Sequence, residues 1–381
     1  GIKLCCEATE ALKNKNQSLN VQDISLQEAW HHSSITEVRQ QMLDNVWPSY
    51  CTRCKDLEKA GQKSMRQAEW ESIQQQNDSY AKVKKRIEQY ETYDSVYDPF
   101  YLDIWLGNLC NLACKTCRPA NSSKLVNERR KIYNQNAENY NRLFESNDEF
   151  QIYSWIDDNN ITDTIYKALD SVATLRFTGG EPTIVPLAKN ILQYVIDHEL
   201  HTKMALRYHT NAVSISDEWL QLTGYFSDQK VRLSIDGIGE VQDYIRRGSD
   251  WEIVDHNVKT LLQNKQHFII FNPTLQTLNA PYLKSYLDWI YALVDDDHWD
   301  IQFNILTNPS VLSIAKAPFA MKQKIKQSFV ECLDHPLVHN KTNLENSIHN
   351  AILLTDNESE VDSAQILRFL ELTDQFHTIK A

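Results

Sequence analysis

Glycine is scarce in this chain, nine residues in 381, and no apolar stretch approaches the ~20 residues that a membrane-spanning helix needs. The second absence leaves no spanning segment to read; the first means that two adjacent glycines need a reason. Basic runs are short as well. The densest, Lys82 to Arg86, holds four cations and reads as the solvated face of a helix. With 39 basic against 51 acidic residues the formal charge is −12, so the broad basic surface that neutralises nucleic-acid phosphates is missing. Neither nucleic acid nor membrane is an expected partner.

Cysteine is present in a pattern. Of eight cysteines, three fall in the run Leu106-Gly-Asn-Leu-Cys-Asn-Leu-Ala-Cys-Lys-Thr-Cys-Arg-Pro119, as Cys110, Cys114 and Cys117. Three thiolates spaced C-x3-C-x2-C can ligate three irons of a [4Fe-4S] cluster and leave the fourth iron open to a reacting ligand. A structural zinc would call for four protein ligands, usually from two knuckles. The cysteines follow an apolar, aromatic run, Phe100 to Leu106, which is broken in front by Asp98-Pro99 and reads as a buried strand. A second strand, Ala173 to Thr178, ends in Gly179-Gly180-Glu181-Pro182. Paired glycines at a strand end let the backbone approach a ligand closely, and the carboxylate that follows can meet an ammonium.

C-x3-C-x2-C followed by a strand-end Gly-Gly-Glu-Pro resembles the radical S-adenosylmethionine (radical SAM) enzymes. The resemblance implies that the three cysteines hold [4Fe-4S], that its open iron chelates the methionine part of SAM, and that Gly179, Gly180, Glu181 and Pro182 line the methionine amino group. It also implies reductive cleavage of SAM to methionine and a 5'-deoxyadenosyl radical, which abstracts hydrogen from a substrate. Many relatives carry an aromatic residue before the third cysteine, where this chain has Thr116.

Beyond the second strand the sequence alternates strand and helix, the rhythm of a parallel α/β barrel. Strands are expected at Lys203 to His209, Val231 to Ile235, Phe268 to Asn272 and Ile301 to Ile305. Helices are expected near Pro186 to His198, Trp251 to Gln263, Tyr282 to Val294 and Met321 to Leu333. The fold class is thus α/β, a partial (β/α)6 TIM-like barrel, which the resemblance also implies. Chemistry in such barrels sits at strand C-termini, which singles out Thr210-Asn211, Ser234 with Asp236, Asn272 and Asn304. Turn chemistry explains the same residue types without any ligand. Strand ends of the Thr-Asn-Gly and Ser-Ile-Asp-Gly kind, then Asp-x-x-Arg, resemble the twitch and SPASM groups. By that resemblance Ser234 and Asp236 lie near the SAM ribose and Arg246, in Asp243-Tyr-Ile-Arg246, pairs with the SAM carboxylate.

Four further cysteines precede the barrel: Cys5, Cys6, Cys51 and Cys54. Gly1-x4-Cys6 with Cys51-x2-Cys54 resembles the auxiliary-cluster module of twitch/SPASM proteins, placed N-terminally, and implies a second iron-sulfur cluster on these residues. A structural zinc knuckle satisfies the same spacing. The resemblance expects one more cysteine upstream, and the chain begins at Gly1 without Met, so it reads as a piece of a longer protein. Cys332 sits in a helical stretch and reads as a buried small hydrophobe.

The expected division is a cluster module at 1–62, a connecting helix at 63–98, a barrel at 99–315 with an insertion at about 122–170, and a helical region at 316–381. The connecting helix shows a stripe of Trp70, Ile73, Tyr80, Val83, Ile87 and Tyr90, which reads as packing on the barrel. Thiolate clusters of this type need a reducing compartment, so the cytoplasm is expected. The resemblance further implies an electron donor such as flavodoxin or ferredoxin. It implies a peptide or protein substrate, with a sugar or other small molecule as the alternative. A barrel that only binds a peptide, or a zinc-stabilised module without catalysis, is the rival class.

Overall fold

The computed structural model describes residues 1–5, 8, 10–15, 17–59, 64–74, 84, 99–145, 150–153, 155–295, 297–339 and 341–376, without the side chains of 72 and 73. The chain forms two compact units. The first comprises Gly1–Ile104, Trp155–Arg176 and Tyr194–Ala205, and the second Trp105–Ser154, Phe177–Gln193 and Leu206–Ala381. Cys6, the run Lys82 to Arg86 except Lys84, and most of the stripe beyond Trp70 lie outside the described residues.

In the first unit a short antiparallel hairpin pairs Lys13–Asn14 with Gln17–Ser18. Helices follow at Leu26–Trp30, Ser33–Leu43 and Thr52–Lys59. Ser25 opens the first of them with a reciprocal cap: Glu28 N donates to Ser25 Oγ at 3.1 Å and Ser25 N donates to Glu28 Oε2 at 2.8 Å. Leu12, Leu19 and Ile35 form a small core, joined by Ile2, Leu4, Ile24 and Tyr50.

Six strands form one sheet whose spatial order is their chain order. They are β1 (Tyr101–Trp105), β2 (Thr174–Thr178), β3 (Ala205–Thr210), β4 (Gln229–Leu233), β5 (His267–Phe271) and β6 (Trp299–Ile301). From β3 to β6 the neighbours are parallel and in register, with Tyr208 beside Val231, Val231 beside Ile269, and Ile269 beside Trp299. Sequential parallel strands separated by helices are the arrangement of a partial TIM-like barrel.

Side-chain alternation divides the sheet. Tyr208, Val231, Leu233, Ile269, Phe271 and Ile301 are buried on one face. There Tyr208 meets Trp219 of the helix Asp217–Thr223 edge-on, with ring centroids 5.2 Å apart, and Phe271 meets Trp289 of the helix Leu283–Leu293 at 5.7 Å. The opposite face carries the registered rows Arg207, Lys230, Phe268 and His209, Arg232, Ile270, Asp300. All of these except Ile270 are partly exposed.

The structure corrects the sequence reading at the sixth strand. The expected strand Ile301 to Ile305 stops at Ile301, and Asn304–Ile305 instead pairs in parallel with Thr274–Leu275 as a separate two-stranded sheet. The physical reason is that Gln302 N donates to Phe271 O while Asn304 N donates to Pro273 O, so the chain follows the segment after β5 where that segment leaves the sheet. Among the described residues no helix is long and apolar enough to cross a membrane.

The insertion and the C-terminal region share a core. Helices Ser123–Gln135 and Ala137–Phe144 contribute Ile132, Tyr140, Leu143 and Phe144, and helix Ser363–Asp374 contributes Ile366, Phe369 and Leu372. About two thirds of the insertion is therefore part of the second unit, and the remaining third, with helix Asn159–Ala168, belongs to the first.

One strand end is strained. Ala212, after β3, is fully buried with φ +59°, a conformation that costs an L-residue about 1–2 kcal/mol. Ala212→Gly should stabilise the chain by up to about 1 kcal/mol, the relief being partly offset by the entropy of glycine. Urea denaturation reads the difference, and a clear loss of stability would contradict it.

Candidate functional site

The cysteine loop grows from the end of β1, and its first residues lie against the end of β2. Leu106 N donates to Thr178 O at 2.8 Å, Gly180 N to Gly107 O at 2.9 Å and Glu181 N to Leu109 O at 2.8 Å. The paired glycines make this approach possible. A Cβ on Gly179 would stand 2.6 Å from Gly107 O, and one on Gly180 would overlap Leu109 O and lie 2.6 Å from Leu109 C. Gly179 also has φ +118°, a region other residues rarely adopt. The contact that excludes a side chain at both positions is with protein backbone, a partner the sequence could not name.

Polar side chains hold the rest of the loop. Asn108 is fully buried, donates to Pro119 O at 2.8 Å and Gln151 O at 2.9 Å, and accepts from Tyr153 N at 3.2 Å. Ser122 Oγ donates to Leu112 O at 2.6 Å, and Cys110 N donates to Ser123 Oγ at 3.3 Å. On the other side Ala113 N donates to Arg247 O and Lys115 N to Ile245 O, both at 2.9 Å. These two bonds flank Cys114 and Arg246, and Arg246 Nη1 comes 4.0 Å from Cys114 Sγ.

The three thiols influence one another. Burial pushes Cys110 up to about 12, and the next cause is Cys114; burial does the same to Cys114, which also feels Cys117. Cys117 is pushed up to about 11 by burial first and Cys110 second. In the metal-free chain all three are therefore neutral thiols at neutral pH. Among the described residues no three His, Cys, Asp or Glu side chains are gathered tightly enough to hold a metal ion. A [4Fe-4S] cubane places each thiolate on a different iron, so its cysteines need not converge on one point as zinc ligands do. Three thiols on one braced loop, Cys114 buried and Cys110 and Cys117 half-buried, fit that group by the chemistry of the donor set.

The strand ends beside the loop are tied together. Glu181 is buried; its Oε1 accepts from Thr183 Oγ1 at 2.9 Å and Thr183 N at 3.4 Å, and its Oε2 accepts from Asn211 N at 2.7 Å. Burial raises its carboxyl pKa, and the hydrogen bonds from Asn211, Thr210 and Thr183 work against that rise. Pro182, also buried, starts the 3-10 turn Pro182–Ile184. Thr210 Oγ1 accepts from Ala212 N at 3.0 Å. Asn211 Nδ2 donates to Asn111 Oδ1 at 2.7 Å, linking β3 to the cysteine loop itself. Ser234 N donates to Thr210 O at 2.8 Å, and its side chain is half-buried.

Asp236 is buried and faces Arg246, with Oδ2 2.8 Å from Arg246 Nε as an ion pair rather than an aligned hydrogen bond. Its Oδ1 accepts from Thr274 N at 2.7 Å, and its backbone is held by Gln242 and Asn279. Burial acts against the Arg246 charge, but Asp236 and Cys114 outweigh it and the guanidinium pKa is raised. Asn272 Oδ1 accepts from Arg232 Nη1 at 3.2 Å, whereas Asn304 is exposed.

In the first unit Cys5 is exposed, Cys51 half-buried and Cys54 buried. Burial raises Cys51, with Cys5 and Cys54 as the next causes, which brings these three thiols into one neighbourhood. Cys332 is fully buried in helix Phe319–Leu333. Trp70, the one stripe member whose side chain is described, is 38 % exposed. It lies in the middle of helix Met65–Gln74.

No family model and no curated protein matches the chain. Among solved structures, Streptococcus suis SuiB bound to S-adenosylmethionine is 14% identical, with TM-score 0.40, covering 80% of this chain and 60% of SuiB. SuiB bound to its precursor peptide SuiA gives 13%, 0.38, 79% and 59%. TYW1 with a lysine-pyruvate adduct gives 10%, 0.29, 57% and 68%. The chain thus spans about three fifths of the length of SuiB. Likenesses of this size carry no argument about chemistry.

The glycine contact has a sharp consequence. Gly180→Ala should cost about 3 kcal/mol or more, because a Cβ there overlaps backbone that cannot swing aside. Gly224→Ala, where a Cβ meets its nearest atom at 3.1 Å, should cost much less. Thermal melts of the two variants compare them, and equal losses would contradict this reading of Gly180.

Proposed function

We propose that the chain is a radical SAM enzyme of the twitch/SPASM kind, acting in the cytoplasm. One observation carries the reading: three thiols, Cys114 buried and Cys110 and Cys117 half-buried, sit on one loop braced by a Gly-Gly strand end, with Arg246 Nη1 4.0 Å from the middle thiol. Cys110, Cys114 and Cys117 would hold a [4Fe-4S] cluster, which would supply the one electron for reductive cleavage of the SAM C–S bond to methionine and a 5'-deoxyadenosyl radical that would abstract hydrogen from the substrate.

The residues have distinct tasks in this reading. Cys110, Cys114 and Cys117 are the ligands. Arg246 offsets the negative charge that thiolates bring into a buried place, and Asp236 fixes its orientation, which leaves its outer nitrogens for the SAM carboxylate. Gly179, Gly180 and Pro182 set the strand end against the loop. Glu181 is assigned to the SAM ammonium, which would replace the longest of its present contacts, Thr183 N at 3.4 Å. Thr210 and Asn211 hold the neighbouring strand end, and Ser234 presents a hydroxyl to the ribose.

Cys5, Cys51 and Cys54, with Cys6, are assigned to an auxiliary iron-sulfur cluster that binds substrate or takes an electron back from a substrate radical. Flavodoxin or ferredoxin is the proposed donor. The substrate is proposed to be a peptide or protein. The rows Arg207, Lys230 and His209, Arg232, Asp300 favour polar groups over an apolar ligand.

The test is anaerobic purification with a strong reductant and SAM. The parent should form 5'-deoxyadenosine, and Cys114→Ala should form none. Joint replacement of Cys51 and Cys54 by Ala should lower bound iron by one cluster's worth and leave SAM cleavage in place. Cleavage by Cys114→Ala at the parent rate would refute the first assignment, and zinc in place of iron at Cys51 and Cys54 the second.

A further inference from the structure

A lysine lies inside the cysteine motif with no exposed side-chain surface. Lys115, next to Cys114, forms an ion pair with Asp374 Oδ1, donates to Thr373 Oγ1 at 3.2 Å, and holds its ammonium 4.2 Å from the centre of the Tyr244 ring. Tyr244 closes the circuit by donating its hydroxyl to Asp374 Oδ2 at 2.9 Å. The surroundings are also ionic. Arg247 pairs with Glu128 and donates to Thr373 O at 3.3 Å, and Arg129 donates to Lys115 O at 3.3 Å while lying 4.1 Å over Phe144.

Charge at this depth is tolerated only when it is matched. A buried ammonium is costly to desolvate, and removing its partner costs more than the pair contributes, because the remaining charge must be hydrated or expelled. Here the partner comes from the end of helix Ser363–Asp374, 259 residues along the chain. An aspartate in the last turn of a helix is disfavoured by the helix dipole, and the same end favours cations. Lys115 and Arg247 supply them. The match therefore works in both directions: the helix end needs the cations, and the cysteine loop needs the helix end.

The loop has little freedom to absorb a loss. Lys115 separates Cys114 from Thr116-Cys117, and its backbone N is already bound to Ile245 O. If its side chain turned to solvent, the chain between the second and third cysteines would turn with it. We propose that Asp374 is a positioning residue of the cluster site, holding Lys115 and through it Cys114 and Cys117 in the arrangement that receives and keeps the iron-sulfur cluster. The C-terminal helix is then a working part of the site. This rests on the assignment of Cys110, Cys114 and Cys117 as cluster ligands.

The test uses the full chain, loaded anaerobically with iron and sulfide, as the parent and as Asp374→Asn, Asp374→Glu and the double variant Lys115→Met with Asp374→Asn. Two readouts are taken: iron loss to an excess of chelator, and the melting temperature of the metal-free protein. Asp374→Asn should lose iron several-fold faster and melt roughly 2–4 °C lower. Asp374→Glu should restore most of the iron retention, and the double variant should recover the melting temperature because no unpaired charge remains. Glu371→Gln on the same helix serves as a control and should leave both readouts unchanged, its carboxylate being exposed and, among the described residues, paired with Arg368.

Parent-like iron retention in Asp374→Asn overturns the proposal and leaves the ligand assignment standing. So does faster loss that Asp374→Glu does not rescue, since that marks a merely structural role. A parent chain that takes up no cluster overturns the ligand assignment and this inference with it.

Discussion

Backbone pressed against backbone, where the Gly179-Gly180 strand end meets Gly107 to Leu109, is the constraint on which the rest of the site depends. Three hydrogen bonds between Leu106–Leu109 and Thr178–Glu181 continue the pairing of β1 and β2 past the ends of both strands. The cysteine loop therefore starts from a fixed point and a fixed direction. Asn108 and Ser122 then close it on itself, and Asn111 attaches it to the end of β3. Polar contacts with short reach brace the loop that carries the three thiols.

The second theme is charge. A chain with a formal charge of −12 gathers Lys115, Arg129, Arg246 and Arg247 around one short loop, each buried or nearly so. Asp236, Glu128 and Asp374 answer three of them, so the arrangement is close to balance with neutral thiols. Deprotonated thiolates would add negative charge, and Arg246 at 4.0 Å from Cys114 Sγ stands where that charge would form. The electrostatics suit a site that becomes anionic when filled.

Much of this was legible in the sequence because its signals are local. Cysteine spacing, apolar runs bounded by Gly or Pro, and polar residues at strand ends each sit within a few residues of one another, and the first five strands appeared within two residues of their expected places. What stayed hidden depends on distant parts of the chain. The partner of the glycine pair is seventy residues upstream, Glu181 is satisfied by Asn211, and Lys115 is matched from the C-terminal helix. A lysine between two cysteines carries no sign of being buried, since lysine is ordinarily exposed. The expected sixth strand failed for a related reason: Ile301 to Ile305 has one composition, but hydrogen bonds to two different partners divide it.

The proposed function requires Cys110, Cys114 and Cys117 to hold a cluster with one iron left open. Electron paramagnetic resonance of the anaerobically reconstituted, reduced chain, recorded before and after SAM is added, tests it most directly. The expected result is a [4Fe-4S] signal that changes shape and position when SAM is present, in the parent and in the joint Cys51 and Cys54 variant alike. A signal that SAM leaves untouched, or one that vanishes with Cys51 and Cys54 and survives loss of Cys114, would contradict it.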